Sequence, residues 1–282
     1  MQFYLCAIAL SAALLASACA TTPRIVAPVS AAEVGELSAG SGYLKGYLAS
    51  ADLPDSLALL PPPPAEGSAA QAGDDAAFRM LTALQGTPRG ALAVQDVNLL
   101  FPKAAETFTC SLGLPISEEE TPNLNMLLRR TLADAGQATS RAKVKYKRTR
   151  PFVVFKAPTC TPLLEAELMK DGSYPSGHSA VGWAWALELA EIAPEREDLL
   201  LQRGRAFSQS RGICGAHWKS DIEAGRLIGA ATLARLHANP VFVAQMEAAR
   251  LEVARARARG AAPVIDCGAE TSALATSSML AP

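Results

Sequence analysis

The fold of this chain is decided by residues 175–194, which read PSGHSAVGWAWALELAEIAP. The part from Ser179 to Ile192 is strongly apolar, which predicts a buried helix, and Pro194 ends it. Helical patterns also cover residues 117–136, 197–211, 218–237 and 240–259. Strand signals are almost absent. The sequence therefore predicts an all-α, single-domain helical bundle with crossover connections.

Two further helices are expected before the apolar stretch. Asp74 and Asp75 are suited to cap a helix that reaches Leu84, because aspartate accepts hydrogen bonds from the free N–H groups of a first turn. Lys143 is expected on a helix that ends at Pro151, because the residue before a proline is disfavoured in the helical conformation. We expect a leader over residues 1–20, a flexible lead-in over 21–40, the main domain over 41–259 and a loose tail over 260–282.

The composition bounds the class of protein. The chain has 282 residues, of which 50% are hydrophobic and 19% charged, enough for a sizeable core. The net charge is −1. A protein that binds nucleic acid without regard to sequence needs a strong basic excess, so nucleic acid is not an expected partner.

The first 20 residues resemble a secretory signal peptide. They carry no charged side chain, and an apolar run is followed by small residues. Cleavage after Ala18 or Ala20 fits, although the start lacks the usual Lys or Arg; a lipid anchor on Cys19 is the alternative. No later stretch is apolar over 18 residues, so no transmembrane segment is predicted. A periplasmic location follows as the expectation.

Four cysteines remain after the leader: Cys110, Cys160, Cys214 and Cys267. An even number in an exported chain predicts two disulfides, with three connectivities open. Pairing of chain neighbours favours Cys110–Cys160 and Cys214–Cys267. No Cys/His cluster is present, so no metal site is predicted.

The pattern S-R-x5-H-x3-D runs from Ser210 to Asp221. His217 and Asp221 are spaced to share one helix face, so Asp221 can hold one ring nitrogen and leave the other free to attack. A purely structural His–Asp pair is the alternative. Arg211 offers a planar fork that matches two phosphate oxygens, although a single arginine is more often a surface charge.

The pattern P-S-G-H precedes the apolar helix. Helix N-termini present free N–H groups and a positive dipole end, which favour anions. Gly177 lets the backbone approach a ligand, and the hydroxyl of Ser176 can donate to it. His178 is placed to give a proton to a leaving group. Taken alone, the motif is more often an ordinary helix-capping turn.

The pattern K-x6-R-P joins Lys143 to Arg150, which would share a helix face if the helix were continuous. Taken alone, this basic run indicates a solvated face. The three patterns together are more specific, because they occur in one order and contain two of the three histidines of the chain, His178 and His217. His237 is expected at the surface.

These motifs together resemble the signature of the type 2 phosphatidic acid phosphatase and vanadium haloperoxidase superfamily. The stretches GSYPSGH and SRGICGAHW, residues 172–178 and 210–218, resemble the bacterial class A non-specific acid phosphatases within it. The resemblance implies an exported, all-α enzyme that hydrolyses many phosphomonoesters, such as nucleotides, sugar phosphates and aryl phosphates, needs no metal or other cofactor and can transfer phosphate to alcohols.

The resemblance also implies a role for each motif residue. His217 would be the nucleophile that forms a phosphohistidine, Asp221 would orient it, and His178 would be the general acid and then the base. The residues implied to hold the phosphate are Lys143, Arg150, Ser176, Gly177 and Arg211. Activity should then follow a bell-shaped, acid to near-neutral pH profile.

Three other functions share features of this sequence. A vanadate-dependent haloperoxidase would use the same site but is typically a longer chain. A lipid phosphatase would carry spanning helices. A non-catalytic envelope lipoprotein that binds a phosphoester would be anchored at Cys19, although nothing in the motifs indicates lost activity. The preferred substrate and homo-oligomerisation stay open.

Overall fold

The structure is a computed structural model that describes residues 25–277. The predicted leader, with Cys19, lies outside the described residues. The longer helices are α1 (Ala69–Thr82), α2 (Pro88–Gln95), α3 (Pro122–Ala138), α4 (Ser140–Tyr146), α5 (Gly177–Ile192), α6 (Glu197–Ile213), α7 (Lys219–Leu236), α8 (Pro240–Ala258) and α9 (Cys267–Ser277). Between residues 25 and 277 no strand is formed, and one isolated bridge pairs Glu36 with Leu44. The all-α prediction is confirmed.

Short helical turns connect these helices. They cover Ala31–Val34, Ser50–Asp52, Ser56–Leu59, Lys103–Phe108, Thr109–Leu112, Pro151–Val154, Pro162–Leu164, Glu165–Leu168 and Pro194–Arg196. Within the described range no single helix is long and apolar enough to cross a membrane; α7 and α8 meet that test only as a pair, bent by 98°.

Helix α5, the apolar stretch of the sequence, is the centre of the core. It packs along α6 and α7 and also contacts α3 and α8. Trp185 and Leu189 are 1% and 0% exposed. The indole of Trp185 donates to the carbonyl of Leu128 on α3 at 2.8 Å, so its polar group is satisfied inside the core.

Two glycines of α7 bring its N-terminal half against the start of α5. A Cβ at Gly225 would lie 2.4 Å from the carbonyl oxygen of Ser176, and one at Gly229 would lie 2.3 Å from that of Ala180. Any side chain at these positions would push the helices apart. The glycines therefore set the close packing that places the N-termini of both helices beside each other.

Two predicted helix boundaries are wrong. Helix α1 begins at Ala69 and is capped by Ser68, whose hydroxyl accepts from the N–H of Gln71 at 3.1 Å; Asp74 lies inside the helix. Helix α4 ends at Tyr146, because Lys147 adopts a left-handed conformation with φ 42°. Pro151 starts a new turn, so Lys143 and Arg150 do not share a helix face.

The predicted disulfide pairing is also wrong. The structure joins Cys110 to Cys267 and Cys160 to Cys214, across sequence separations of 157 and 54 residues. The chain neighbours do not pair, because the fold brings distant segments together.

Both ends of the described chain are more tightly held than the sequence predicts. Helix α9 replaces much of the expected loose tail: it contacts α2, and Glu270 lies 3.4 Å from the guanidinium of Arg203. In the expected flexible lead-in, Ala27 is buried and the carbonyl of Pro28 accepts from Gln245 on α8 at 3.0 Å.

Candidate active site

The first and third motifs meet because the segment after α4 runs beside the loop before α7. The indole of Trp218 donates to the carbonyl of Thr149 at 2.8 Å. Arg150 Nη1 donates to the carbonyl of Ala216 at 3.0 Å and lies 3.1 Å from Nε2 of His217. The predicted nucleophile and a predicted phosphate-binding cation are therefore in direct contact.

His217 is held between this cation and a carboxylate. Its Nδ1 lies 3.4 Å from Oδ2 of Asp221, long for a hydrogen bond, and has no closer partner among the described residues. The same Oδ2 accepts from the N–H of Trp218 at 2.9 Å, which fixes the carboxylate at the start of α7. The arrangement favours a proton on Nδ1 and a lone pair on Nε2.

Arg148 and Asp74 also belong to this cluster, although the sequence does not predict either of them as a site residue. Arg148 donates to Oδ1 of Asp221 at 2.6 Å and to Oδ2 of Asp74 at 2.7 Å. The sequence predicts a helix cap at Asp74, and it predicts a solvated position for Arg148, which lies in the basic run between Lys143 and Arg150. One available signal was that Arg148 lies inside the K-x6-R-P motif.

The second motif forms the N-terminus of α5 as predicted. Ser176 is the N-cap, fully buried, and its N–H donates to the carbonyl of Asp221 at 2.9 Å. Its hydroxyl accepts from the N–H of Ser179 at 3.3 Å. A Cβ at Gly177 would meet only Thr139 Oγ1, at 3.7 Å. Packing therefore does not require glycine here, and the bare backbone leaves the first N–H groups of α5 accessible to an anion.

His178 has a defined orientation. Its Nε2 lies 3.0 Å from the carbonyl of Val97, which places the proton on Nε2 and leaves Nδ1 as the second titrating nitrogen. The ring stacks on Phe207 with centroids 6.5 Å apart. Burial, followed by the charge of Arg211, lowers the pKa of His178 well below its ordinary value.

Arg211 is buried, and within residues 25–277 no carboxylate forms an ion pair with it, although the charge of Asp96 raises its pKa. It is 1% exposed, and neither Nε nor Nη1 has a hydrogen-bond partner among the described residues. Burial, followed by repulsion from Arg150, lowers the pKa of Arg211 to about 9. Because a buried charge without hydrogen-bond partners is costly, binding of an anion to this guanidinium is favourable.

Lys143 and Arg150 differ from Arg211, because a carboxylate approaches them. Asp171 Oδ2 lies 3.0 Å from Lys143 Nζ and 3.8 Å from Arg150 Nη2, and the side chain of Asp171 is 52% exposed. Lys143 also donates to the carbonyl of Gly172 at 2.6 Å. Burial is the first cause that lowers the pKa of both cations. Asp171 thus makes contacts that phosphate oxygens could make.

The charged side chains of all three motifs influence the pKa of His217. Burial lowers the pKa of His217 well below its ordinary value, and the neighbours that lower it further are, in order, Arg150, Lys143, Arg211 and His178. Asp221 adjoins this group through His217, Ser176 adjoins it through the carbonyl of Asp221, and Gly177 follows Ser176 in the chain. In the described part of the chain, no group of three or more His, Cys, Asp or Glu side chains could hold a metal ion.

Comparison with known proteins identifies the family of this chain. Residues 125–243 match the model of the PAP2 superfamily. The non-specific acid phosphatase of Providencia stuartii is 44% identical over 210 residues, which are 74% of this chain and 85% of that protein. The acid phosphatase of Zymomonas mobilis is 41% identical, over 74% of this chain and 79% of its own length. The non-specific acid phosphatase of Salmonella typhimurium is 43% identical, over 69% and 78%. The chain therefore belongs to the PAP2 superfamily and, within it, to the bacterial class A non-specific acid phosphatases.

Proposed function

We propose that this protein is an exported acid phosphatase that hydrolyses a broad range of phosphomonoesters through a phosphohistidine at His217, without a metal. The observation that carries the proposal concerns Arg211: its buried guanidinium has two nitrogen atoms without a hydrogen-bond partner among the described residues, and its charge acts on His217. Phosphoryl transfer depends on positioning and charge stabilisation, which cations and a helix N-terminus supply.

In the first step, Nε2 of His217 attacks phosphorus and the bond to the ester oxygen breaks. The contact between Nε2 and Arg150 supports this choice of nitrogen, because a cation on the lone-pair side is suited to bind the phosphoryl oxygens beside the nucleophile. Asp221 stabilises the positive charge that develops on the ring. His178 passes the proton on its Nδ1 to the departing alkoxide, while its Nε2–H stays on the carbonyl of Val97.

In the second step, water attacks the phosphohistidine. Nδ1 of His178, now neutral, takes the proton of that water, and the P–N bond to His217 breaks. An alcohol in place of water would give phosphate transfer by the same route. The cations Lys143, Arg150 and Arg211 hold the phosphoryl oxygens in both steps.

The breadth of substrates and the location have separate support. No role assigned above addresses the alcohol beyond its ester oxygen, and two of the relatives are named non-specific. Export is supported by the predicted leader over residues 1–20 and by two disulfides, which persist in oxidising compartments. N-terminal sequencing of the protein from a periplasmic extract tests export, and an unprocessed N-terminus in the cytosolic fraction would contradict it.

The activity is tested with p-nitrophenyl phosphate near pH 6 in excess EDTA, comparing the wild type with His217→Ala. We expect turnover that survives EDTA and is lost in the variant. His237→Ala is the matched control, since His237 is exposed and lies 3.2 Å from Glu191, away from the motifs. An alkali-stable, acid-labile phosphoenzyme should accumulate in a rapid quench.

Loss of activity in EDTA would contradict a metal-independent mechanism. Turnover that persists in His217→Ala would exclude this residue as the nucleophile. Absence of turnover in the wild type would contradict the proposed phosphatase; bromide oxidation with peroxide and vanadate would then indicate a haloperoxidase.

A further inference from the structure

Arg148 bridges two buried carboxylates behind His217. Its Nη1 donates to Oδ1 of Asp221 at 2.6 Å, and its Nη2 donates to Oδ2 of Asp74 at 2.7 Å and to Oε1 of Gln71 at 2.8 Å. The guanidinium also lies over the ring of Trp218, 5.1 Å from the centroid. With 8% of its side chain exposed, Arg148 has little freedom to move.

Asp74 fixes this bridge to the helix that begins beside the nucleophile. It accepts from the N–H of Ser220 at 2.8 Å and from the hydroxyl of Ser220 at 2.5 Å. Its side chain is 3% exposed. Helix α1, which carries Asp74, is thereby joined to the first turn of α7 by charge-assisted hydrogen bonds, which are stronger than neutral ones.

We propose that Arg148 and Asp74 are positioning residues for the reaction: Asp74 holds Arg148, and Arg148 holds Asp221 as an anion in the place from which it orients His217. This inference rests on the proposed function of His217 as nucleophile. Neither residue belongs to the K, R, P, S, G, H and D positions of the three motifs, and neither touches the phosphate-binding side of His217.

The need for such a residue follows from the burial of Asp221. Its side chain is fully buried, and burial is the main influence on the pKa of Asp221, which it raises. Arg148 is the first influence that lowers this pKa, followed by the N–H of Trp218. A neutral Asp221 would no longer stabilise positive charge on His217.

Other groups also face Asp221, and they do not replace Arg148. Lys143 on α4 and Arg150 after it interact with Asp221 through space, and so does the hydroxyl of Tyr174 before α5. No direct hydrogen bond joins either of the two cations to this carboxylate in the described chain, and both have Asp171 as a nearer anion. Arg148 is thus the cation in contact with Asp221.

The test compares full-length wild type with Arg148→Gln and Asp74→Asn over a range of pH. Removing the positive charge raises the pKa of Asp221, and the active form is the anion, so the acid limb of kcat must move to higher pH. We expect a displacement of about one pH unit or more, so that kcat falls about tenfold at the acid end while KM changes less than about threefold. Asp74→Asn should also move the acid limb of the pH profile to higher pH, by a smaller amount than Arg148→Gln.

Arg141→Gln is the matched control, because Arg141 is 65% exposed and pairs with Asp55 on the surface. Its acid limb should coincide with that of the wild type. A purely structural role for Arg148 would lower activity equally at all pH values, and that result would overturn the proposal. Asp74→Asn keeps the size of the side chain and serves as the second variant if Arg148→Gln fails to fold.

A second measurement tests the inference without relying on turnover. Aspartate labelled with ¹³C at the carboxyl gives the titration midpoint of Asp221, assigned with Asp221→Asn. A midpoint that rises in Arg148→Gln supports the proposal, and an unchanged midpoint overturns it. Absence of turnover in the wild type would contradict the proposed phosphatase alone, because the midpoint still decides the role of Arg148.

Discussion

Replacing Arg211 with methionine should make the protein more stable and less active. Arg211 is buried, and two of its nitrogen atoms have no partner in the described chain. Burial and the charge of Arg150 lower the pKa of Arg211 from its ordinary value to about 9, and at about 1.4 kcal/mol for each pH unit this charge costs the free protein up to about 5 kcal/mol. Local relaxation and water entry reduce such costs. We therefore expect Arg211→Met to raise the free energy of unfolding by about 1–3 kcal/mol.

The sign of this gain in stability is set by the direction in which folding shifts the pKa of Arg211. A base whose pKa is lowered on folding destabilises the folded state wherever it is charged, so the gain from methionine is present at every pH below about 9. For a domain of this size, 1 kcal/mol changes Tm by about 2–4 °C. Differential scanning calorimetry in phosphate-free buffer near pH 6 should therefore show a higher Tm for the variant.

The same substitution should remove phosphate binding. Two charge-assisted hydrogen bonds contribute about 1.5–3 kcal/mol each, so kcat/KM should fall by about 10²- to 10⁴-fold. Adding orthophosphate at about 100 times its Kd should stabilise the wild type by about 2.7 kcal/mol, and the variant far less. Arg205→Met, at an exposed position of the same helix, is the control and should change neither property. A variant that melts below the wild type without phosphate would refute the reasoning, because Arg211 would then have a structural role.

Three further predictions concern the surroundings of the site. Asp171→Asn should lower the inhibition constant of orthophosphate by about two- to fivefold, because a half-exposed competing carboxylate loses its charge; an unchanged constant would show that Asp171 does not compete. Gly225→Ala should lower the free energy of unfolding in urea by about 1–3 kcal/mol and reduce kcat, because its Cβ would meet backbone atoms. The control Gly73→Ala, whose Cβ would have nothing within 4 Å, should stabilise the protein. Equal effects of the two substitutions would contradict the packing argument. The alkaline limb of kcat/KM should lie below about pH 6.5, because burial and neighbouring cations lower the pKa of His178; a limb above about pH 8 would contradict this assignment.

The sequence predicted the central helix and the place of the P-S-G-H motif at its N-terminus, because both depend on local patterns. The apolar run after His178 could only be a buried helix, and α5 confirms it. The P-S-G-H motif lies at its N-terminus, where a serine caps and a glycine leaves backbone accessible. The roles of the motif residues stay predictions that the assays above will test.

What the sequence could not supply depends on contacts between distant segments. The left-handed conformation of Lys147 turns the chain between Lys143 and Arg150, so both reach the site although they share no helix face. Asp74 has a capping residue type but lies one turn inside α1, and its partner Arg148 is 74 residues away. The disulfide partners of Cys110 and Cys214 are likewise chosen by tertiary packing.

The disulfide between Cys160 and Cys214 has a practical consequence for making this enzyme. Cys214 stands three residues before His217, at the end of α6, and the N–H of Cys160 also donates to its carbonyl at 3.2 Å. The bond therefore restrains the loop that carries the nucleophile. Protein produced in a reducing cytosol would have this loop unrestrained, so a low specific activity from such a preparation would measure its redox history rather than its catalytic capacity. Each preparation needs a free-thiol count before its kinetics are compared with another's.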